Sequence, residues 1–318
     1  MAGTTKSVGV VILNWNGGEL TGRCIESLER SDYPDRLIIV IDNGSTDGSA
    51  ERLARDFPEV ALLRNEKNLG FARGSNQGIR WAMEQGFDYA LILNNDTLAA
   101  PNMISSMVAA AETRHDLAAV SPKIFFADTP ERLWFTVGEA NLWSGVFSNP
   151  AYNALDDGRY DSQREMGWMV GCCVLIPRKI AETVGGFDER FFAYCEDVDW
   201  SLRCRKAGFG LLYCPEARLW HKVSASGSRH SAVMRYLMTR NHLWAIRMHA
   251  SALQFLCVLL WLPLRSSKRI LQAIKVREWA CITAELRGLR DGLLAPLDGK
   301  KTTKSSLLGV PLETPPGS

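Results

Sequence analysis

The sequence predicts an α/β protein with a doubly wound, mostly parallel central sheet and helices on both faces. Two observations support this fold class. Short β-branched apolar runs alternate with segments of helical periodicity along the N-terminal part of the 318 residues. Polar residues follow directly after two of these runs. In open α/β sheets, ligands bind at the edge formed by the carboxyl ends of the strands.

The alternating elements can be placed in order from the apolar pattern. Four runs are typical of buried parallel strands: Val8 to Leu13, Leu37 to Ile41, Val60 to Leu63 and Tyr89 to Leu93. Three helices are predicted between them: Gly18 to Arg30, Ser45 to Phe57 and Ser75 to Gln85. The second of these helices has Asp47 or Ser45 available as its N-cap.

The remainder of the chain has a different rhythm. From about Phe125 to Arg164 no clear periodicity is present, which indicates short strands and loops. A strand over Met169 to Ile176, a helix over Asp197 to Ala207 and a last strand over Leu211 to Tyr213 follow. After about residue 229, long helical patterns rich in Leu, Trp and Arg predict a C-terminal helical extension.

The net charge, the cysteine pattern and the first residues argue against a nucleic-acid-binding protein and against a secreted one. A net charge of +2 gives no reason to expect a nucleic-acid partner. The eight cysteines form no C-x-x-C pair and several lie in apolar runs, which favours reduced, buried thiols in a cytoplasmic protein. Residues Met1 to Lys6 lack the apolar segment of a secretory signal.

One apolar segment raises the question of membrane contact. Phe255 to Leu264 is too short to span a bilayer and contains Pro263. It lies within residues 251–290, which combine apolar and basic side chains in a way that suits an anionic membrane surface. The alternative is that these helices pack on the rest of the protein or across a homodimer interface.

The polar residues at the predicted strand ends suggest a metal site. Asp42 follows the second strand, and Asn94, Asn95 and Asp96 follow the fourth. A tight turn explains the Asp42 segment as well as a binding site does. Three polar residues where a strand leaves the core are harder to explain as a turn. One aspartate there can hold Mg²⁺ or Mn²⁺ while a diphosphate fills the other coordination positions.

A second acidic cluster, FFAYCEDVDW (191–200), contains Glu196, Asp197 and Asp199 beside aromatic residues. An acidic helix N-terminus accounts for one carboxylate. Adjacent carboxylates against an apolar wall also keep one of them basic enough to accept a proton. His221 follows the last predicted strand, and a lone histidine is more often structural than a metal ligand.

These segments, in this order, resemble the family 2 inverting glycosyltransferases of the GT-A fold, in particular the bacterial rhamnosyltransferase-like branch. The matching stretches are VVILNWNG (10–17), IVIDNGSTDGS (39–49), NLGFARGSNQGI (68–79), LILNNDT (91–97), GCCVLIPR (171–178), GGFDERFFAYCEDVDWSLRCRKAGF (185–209) and RNH (240–242).

The resemblance implies a donor site for a UDP- or dTDP-sugar, with dTDP-rhamnose as one candidate. Asp42 would bind the pyrimidine base, with Asn14 and Asn16 lining the same pocket. The residues along the nucleotide and its phosphates would be Asn68, Gly70, Arg73, Asn76, Asn94, Asn95 and Arg240.

The resemblance also implies the catalytic groups. Asp96 would coordinate Mg²⁺ or Mn²⁺, and His221 matches a position that ligates the metal in some relatives. The motif departs from a strict Asp-x-Asp because its first residue is Asn94. Asp197 corresponds to the general base, and Glu196 would orient Asp197 or the acceptor. Asp199 is expected to cap the helix that follows.

The implied organisation is a GT-A catalytic domain over residues 1–228, with a nucleotide-binding half to about residue 120 and an acceptor-binding half beyond it. A basic amphipathic helical region (229–300) and a disordered tail (301–318) would follow. The implied acceptor is a glycan or polyisoprenoid-linked glycan in cell-surface polysaccharide synthesis, with the protein peripheral on the inner face of the cell membrane.

Two other functions compete with this interpretation. A nucleotidyltransferase would need a basic, Gly-rich loop after the first strand, but no Lys or Arg occurs between Asn14 and Arg23. A non-catalytic binding relative would be expected to have lost Asp96 or Asp197, and both are present. Glycosyl transfer is therefore favoured.

Overall fold

The computed structural model describes residues 6–223 and 232–297. Its strands are β1 (Val8–Asn14), β2 (Arg36–Asp42), β3 (Ala61–Arg64), β4 (Tyr89–Asn94), β5 (Thr97–Ala99), β6 (Leu117–Phe126), β7 (Leu133–Phe135), β8 (Glu139–Asn141), β9 (Val146–Ser148), β10 (Arg164–Glu165), β11 (Cys173–Pro177) and β12 (Gly210–His221). Its helices are α1 (Gly18–Glu29), α2 (Ser49–Asp56), α3 (Phe71–Glu84), α4 (Met103–Ala111), α5 (Arg178–Thr183), α6 (Glu196–Lys206), α7 (Ala232–His249), α8 (Ala252–Lys275) and α9 (Trp279–Leu294).

A ten-stranded mixed sheet forms the centre of the protein. Its main path runs β10-β12-β6-β11-β4-β1-β2-β3, with β5 paired to β12 and β7 to β6. Strands β1 to β4 pair in parallel with one another, and β12 pairs in parallel with β6. Strand β11 runs antiparallel between β4 and β6. The predicted α/β class with a mostly parallel sheet is thus confirmed.

Close packing of α3 on the sheet brings its N-terminus to the carboxyl ends of the strands. The central strands β1 and β4 are buried almost throughout. A Cβ on Gly78 would lie 1.9 Å from Cγ1 of Val11, and one on Gly74 would lie 2.4 Å from Cδ1 of Leu13. Only glycine at these two positions lets the helix approach β1 this closely.

Two helices begin at different residues from those predicted. Helix α2 begins at Ser49 because Gly48 has a φ of 74°, outside the helical region, and Asp47 Oδ1 accepts the N–H of Ser49. Helix α3 begins at Phe71, directly after Gly70 at a φ of 88°. The first turn of α3 was not predicted from the sequence because the glycines in this helix interrupt its apolar pattern.

The last strand is much longer than predicted. It continues from Tyr213 to His221, past an irregularity between Cys214 and Arg218, because it pairs with β6 and then with β5. Neither β5 nor β6 was predicted. This extension changes the position of His221, which ends the strand instead of following it in a loop.

Helices α7, α8 and α9 form the predicted C-terminal extension. Helix α7 packs on α9, where Gly288 and Gly292 allow close approach to Thr239 and Leu243. None of the described helices is both long enough and apolar enough to cross a membrane. The predicted boundary at 228 and 229 and the predicted tail 301–318 lie outside the described residues.

Candidate active site

The ends of β1 and β2 lie side by side and hold a buried carboxylate. Asn14 pairs with Asp42 in the parallel register, and its Nδ2 donates to Oδ1 of Asp42 at 2.8 Å. Oδ2 of Asp42 accepts the N–H of Ser45 at 3.2 Å. Thr21 donates its hydroxyl to Oδ1 of Asn14 at 2.7 Å. Asn14, expected to line the base pocket, is fully buried and instead orients Asp42. The side chain of Asp42 is itself only 1% exposed.

Asn43 organises the segment that leads into α3, and the sequence analysis missed it. Its Nδ2 donates to Oδ1 of Asn68 at 3.0 Å and to the carbonyl of Gly70 at 3.1 Å. Its Oδ1 accepts the N–H of Leu69 at 3.0 Å. The available signal was its position directly after Asp42, at the same strand end.

Three other predicted donor-site residues lie around the same edge. Asn16 has a φ of 52° and accepts the N–H of Thr46 on its Oδ1 at 2.8 Å. Asn95 donates from Nδ2 to the hydroxyl of Thr21 at 2.9 Å. The Arg73 side chain is 55% exposed and lies 3.7 Å from a carboxylate oxygen of Glu189. Its guanidinium is therefore open to an incoming anion.

The side-chain amide of Asn76 is occupied by backbone groups of another segment and is not available at this edge. Its Nδ2 donates to the carbonyl of Phe187 at 2.8 Å, and its Oδ1 accepts the N–H of Phe187 at 2.8 Å. A Cβ on the adjoining Gly186 would lie 2.2 Å from Oδ1 of Asn76. Asn76 therefore ties α3 to the turn around residue 186 and is not placed to contact a phosphate.

Asp96 and His221 are brought together by the pairing of β5 with β12. That pairing puts His221 opposite Thr97, and the N–H of Lys222 donates to the carbonyl of Asp96 at 2.9 Å. Nε2 of His221 lies 2.9 Å from Oδ1 of Asp96, and both side chains are less than a tenth exposed. The ring of Trp134 packs edge-on against the imidazole at 4.3 Å.

This pair fits two neighbouring positions of a metal coordination shell. Octahedral oxygen and nitrogen ligands at about 2.1 Å from an ion lie about 3 Å apart, close to the observed Asp96 to His221 separation. Nδ1 of His221 has no hydrogen-bond partner within the described residues. No third Asp, Glu, His or Cys joins the pair in the described part of the chain. The remaining ligands would have to be diphosphate oxygens and water.

Asp197 lies in the first turn of α6 with both carboxylate oxygens engaged by backbone. Oδ2 accepts the N–H of Gly171 at 2.9 Å, and Oδ1 accepts the N–H of Val198 at 2.8 Å. Burial raises the pKa of Asp197, and the two N–H groups offset part of that rise by stabilising the charged form. The arrangement fixes the carboxylate while leaving lone pairs for an incoming proton.

Glu196 is the more deeply buried partner of Asp197. It is 5% exposed, and its Oε2 has no hydrogen-bond partner within the described residues. Burial raises the pKa of Glu196 well above its usual value, and the nearby charge of Asp197 raises it further. Of the two carboxyls, Glu196 therefore has the stronger tendency to hold a proton, and Asp197 has the stronger tendency to ionise.

The two clusters are joined through neighbouring strands. Gly171, which holds Asp197, lies two residues before β11. The carbonyl of Cys172 accepts the N–H of Asn94 at 2.8 Å, and Asn94 lies two residues before Asp96. The sheet therefore places the base candidate and the metal candidate at one edge, together with Asp42.

Two further predicted roles are corrected by the structure. Arg240, expected to contact a phosphate, is 1% exposed, and its guanidinium packs 4.3 Å from the ring centre of Trp244. Asp199, expected to cap α6, instead binds Nε of Arg203 and Nε2 of His249, each at 2.8 Å. Both side chains join α7 to α6 or to the residues just before it, an interaction across sequence distance that no local pattern reveals.

Comparison with known proteins identifies the family to which this chain belongs. The family described as "Glycosyl transferase family 2" matches residues 9–185, more than half of the chain. The chain belongs to this family, and it is a glycosyltransferase that uses nucleotide-sugar donors in glycan biosynthesis.

Two curated relatives in this comparison are rhamnosyltransferases. The N-acetylglucosaminyl-diphospho-decaprenol L-rhamnosyltransferase of Mycobacterium tuberculosis (strain ATCC 25618 / H37Rv) is 29% identical over 266 residues, covering 76% of this chain and 87% of the relative. The dTDP-rhamnosyl transferase RfbF of Shigella flexneri is 21% identical over 218 residues, covering 66% of this chain and 70% of the relative.

Two solved structures confirm the GT-A fold. GalNAc-T7, crystallised with UDP, GalNAc and Mn²⁺, superposes with a TM-score of 0.63 at 16% identity, covering 91% of this chain. The present chain spans 54% of that protein's length. The mannosyltransferase PcManGT from Pyrobaculum calidifontis, in complex with GDP-Man and Mn²⁺, gives a TM-score of 0.55 at 16% identity, covering 91% of this chain and 88% of the neighbour.

Proposed function

We propose that the chain transfers a sugar, with inversion, from a UDP- or dTDP-sugar onto a hydroxyl of a polyisoprenoid-linked glycan, and that dTDP-rhamnose is the first donor to test. The observation that supports this most is the placement of Asp197 and the Asp96–His221 pair at one edge of the sheet. The names of the relatives from M. tuberculosis and S. flexneri support the donor and the acceptor.

The reaction is a single displacement. Asp197 accepts the proton of the acceptor hydroxyl while that oxygen attacks the anomeric carbon from the face opposite the diphosphate. The bond between the anomeric carbon and the diphosphate oxygen breaks, and the nucleoside diphosphate leaves with the electron pair. The strongly raised pKa of Glu196 favours its neutral form, which would keep a second negative charge away from Asp197.

Asp96 and His221 are the residues that would hold a divalent cation, which neutralises negative charge on the departing diphosphate. Mg²⁺ prefers a shell made of oxygen ligands, whereas Mn²⁺ accepts an imidazole nitrogen more readily. We therefore expect Mn²⁺ to bind more tightly than Mg²⁺. Both solved neighbours hold Mn²⁺.

The donor assignment can be tested without an acceptor. A thermal-shift panel of UDP, dTDP and GDP and their sugars, each with Mn²⁺, Mg²⁺ or EDTA, measures binding to the folded protein. UDP or dTDP compounds should raise the melting temperature only with metal. If a folded sample shows no shift with any nucleotide, the donor site is wrong. A shift confined to GDP compounds would reject the pyrimidine assignment of Asp42.

The acceptor proposal places the protein at a membrane surface, on the inner face of the cell membrane. Helix α8 presents a row of exposed apolar side chains: Leu253, Leu256, Leu260, Trp261, Leu264 and Leu271. Residues 251–277 contain five Lys and Arg residues and no Asp or Glu. Arg269 is already paired with Glu285 at 2.8 Å. A second copy of the chain would bring the other four like charges together, whereas an anionic bilayer would bind both these and the apolar groups.

We expect the full chain to co-sediment with vesicles containing anionic phospholipid and to bind neutral vesicles more weakly. Replacing Leu260 and Trp261 together by Gln should weaken binding at least about tenfold, because each side chain is worth about 1.5 kcal/mol or more when buried. Leu37→Gln is the matched control, since Leu37 is 55% exposed on β2. Self-association that is abolished by the double variant, without vesicle binding, would contradict the membrane assignment and indicate a homodimer.

A further inference from the structure

The segment between the turn at Glu189–Phe191 and α6 has an unusual backbone. Phe192, Tyr194 and Cys195 have φ angles of 65°, 70° and 66°, a region that residues with a side chain rarely adopt. Such conformations persist only where the surrounding structure enforces them, and they concentrate at functional sites. We call residues 191–195 the base loop, because Glu196 and Asp197 follow it directly.

One buried side chain of α7 binds most of this loop. Nδ2 of Asn241 lies 2.9 Å from the carbonyl oxygen of Phe191 and 2.8 Å from those of Ala193 and Tyr194. Asn241 is fully buried. Carbonyl oxygens only accept hydrogen bonds, so the amide must turn its NH₂ group toward the loop.

Arg240 fixes the orientation of that amide. Its Nε donates to Oδ1 of Asn241 at 2.8 Å, and a guanidinium only donates, so Oδ1 must face it. The guanidinium is packed against the rings of Trp244 and Tyr236, with its carbon 4.3 Å and 5.3 Å from their centres. These contacts keep Arg240 from rotating away, and they explain why it is buried instead of open to a phosphate.

The other side of the base loop touches the donor segment. The carbonyl of Phe192 accepts the N–H of Ala72 at 3.2 Å, at the start of α3. Gly70 has a φ of 88°, and a Cβ there would lie 2.5 Å from the same carbonyl oxygen. The loop is therefore held between α7 and the Gly70 to Ala72 backbone.

We propose that Asn241, oriented by Arg240, is a positioning residue for catalysis: it holds the base loop in its strained path and so sets Asp197 and the Gly70–Ala72 backbone in one arrangement. The proposal rests on the proposed function, because it takes Asp197 as the base. The C-terminal helices then contribute to turnover without touching the substrate.

The test compares Asn241→Ala with Thr239→Val. Thr239 is buried on the same helix and donates its hydroxyl to Glu285 at 2.8 Å, but it has no hydrogen bond to the base loop. Asn241→Ala should lower kcat at saturating donor and acceptor about 10- to 100-fold, the scale of a displacement of about 1 Å in a catalytic group. Thr239→Val should lower the melting temperature about as much as Asn241→Ala does, and it should keep kcat within about twofold of the wild type.

The pH profile distinguishes positioning from general destabilisation. The groups facing Asp197 are Glu196, the thiol of Cys195 and the N–H groups of Gly171 and Val198. Burial raises the pKa of Asp197, so water entering around a loosened loop should lower it. The acid limb of kcat/KM should move to lower pH in Asn241→Ala and stay in place in Thr239→Val.

Hydrogen exchange of residues 191–196 separates this proposal from the proposed function. Exchange should rise in Asn241→Ala only. Equal exchange and equal kcat in the two variants would overturn the positioning role whatever the reaction is. Faster exchange together with an Asp197→Asn variant of normal activity would instead show that the base assignment is wrong.

Discussion

Asp197→Asn is expected to lower kcat about 10²- to 10⁴-fold, the usual contribution of a general base, while leaving donor affinity nearly unchanged. The replacement has almost the same shape but cannot accept the acceptor proton. In the wild type, the N–H groups of Gly171 and Val198 donate to the two oxygens of the carboxylate. In the variant, the amide NH₂ group would face one of these two donors. The measurement is steady-state kinetics with a titration of nucleotide binding on the same sample.

The pH dependence of the wild type checks the same assignment. Asp197 must be ionised to act, and burial raises its pKa, so kcat/KM should fall as the pH drops through that raised value. In Asp197→Asn the residual rate should lose this acid limb. Near-normal turnover in the variant, or an acid limb that persists unchanged, would show that another group takes the proton.

Asp96→Ala is expected to abolish the effect of metal on donor binding and to lower kcat/KM about 10²-fold or more, because several kcal/mol of charge stabilisation on the diphosphate are lost. His221 then remains as a single protein ligand of the pair. Calorimetry of nucleotide binding with Mn²⁺ and with EDTA measures the effect directly. In the wild type the two titrations should differ, and in the variant they should coincide.

A surface carboxylate provides the control for Asp96. Asp128 is exposed and follows β6, next to Ala127, whose N–H donates to the carbonyl of His221. Asp128→Ala removes one negative charge from the same end of the sheet and should leave metal dependence intact. If Asp96→Ala binds donor and metal like the wild type, the metal site lies elsewhere.

Local patterns were sufficient to predict the parallel strands β1 to β4 and the carboxylates at their ends. Asp42 and Asp96 were found because each follows a buried strand, and Asp197 because it lies in an acidic cluster beside aromatic residues. These signals occupy a few consecutive residues. The strands themselves were found because β-branched runs such as β1 are buried on both faces.

The rest depended on contacts between distant parts of the chain. His221 meets Asp96 because β12 continues past Tyr213 to pair with β5, and nothing in the residues between them predicts that register. Arg240 was placed near a phosphate because side-chain type alone does not reveal burial, and Asn241 was given no role. Their actual contact, the base loop, lies 47 to 50 residues earlier in the chain.

The most direct test of the central claim is to follow the anomeric proton by NMR during transfer from dTDP-rhamnose to a polyprenyl-diphosphate-linked acceptor, with Mn²⁺ present. The account predicts a product whose anomeric configuration is opposite to that of the donor, formed by the wild type and lost on chelation or in Asp197→Asn. A product that retains the donor configuration would contradict a single displacement with Asp197 as base. Transfer that is equally fast in EDTA would contradict the metal role of Asp96 and His221.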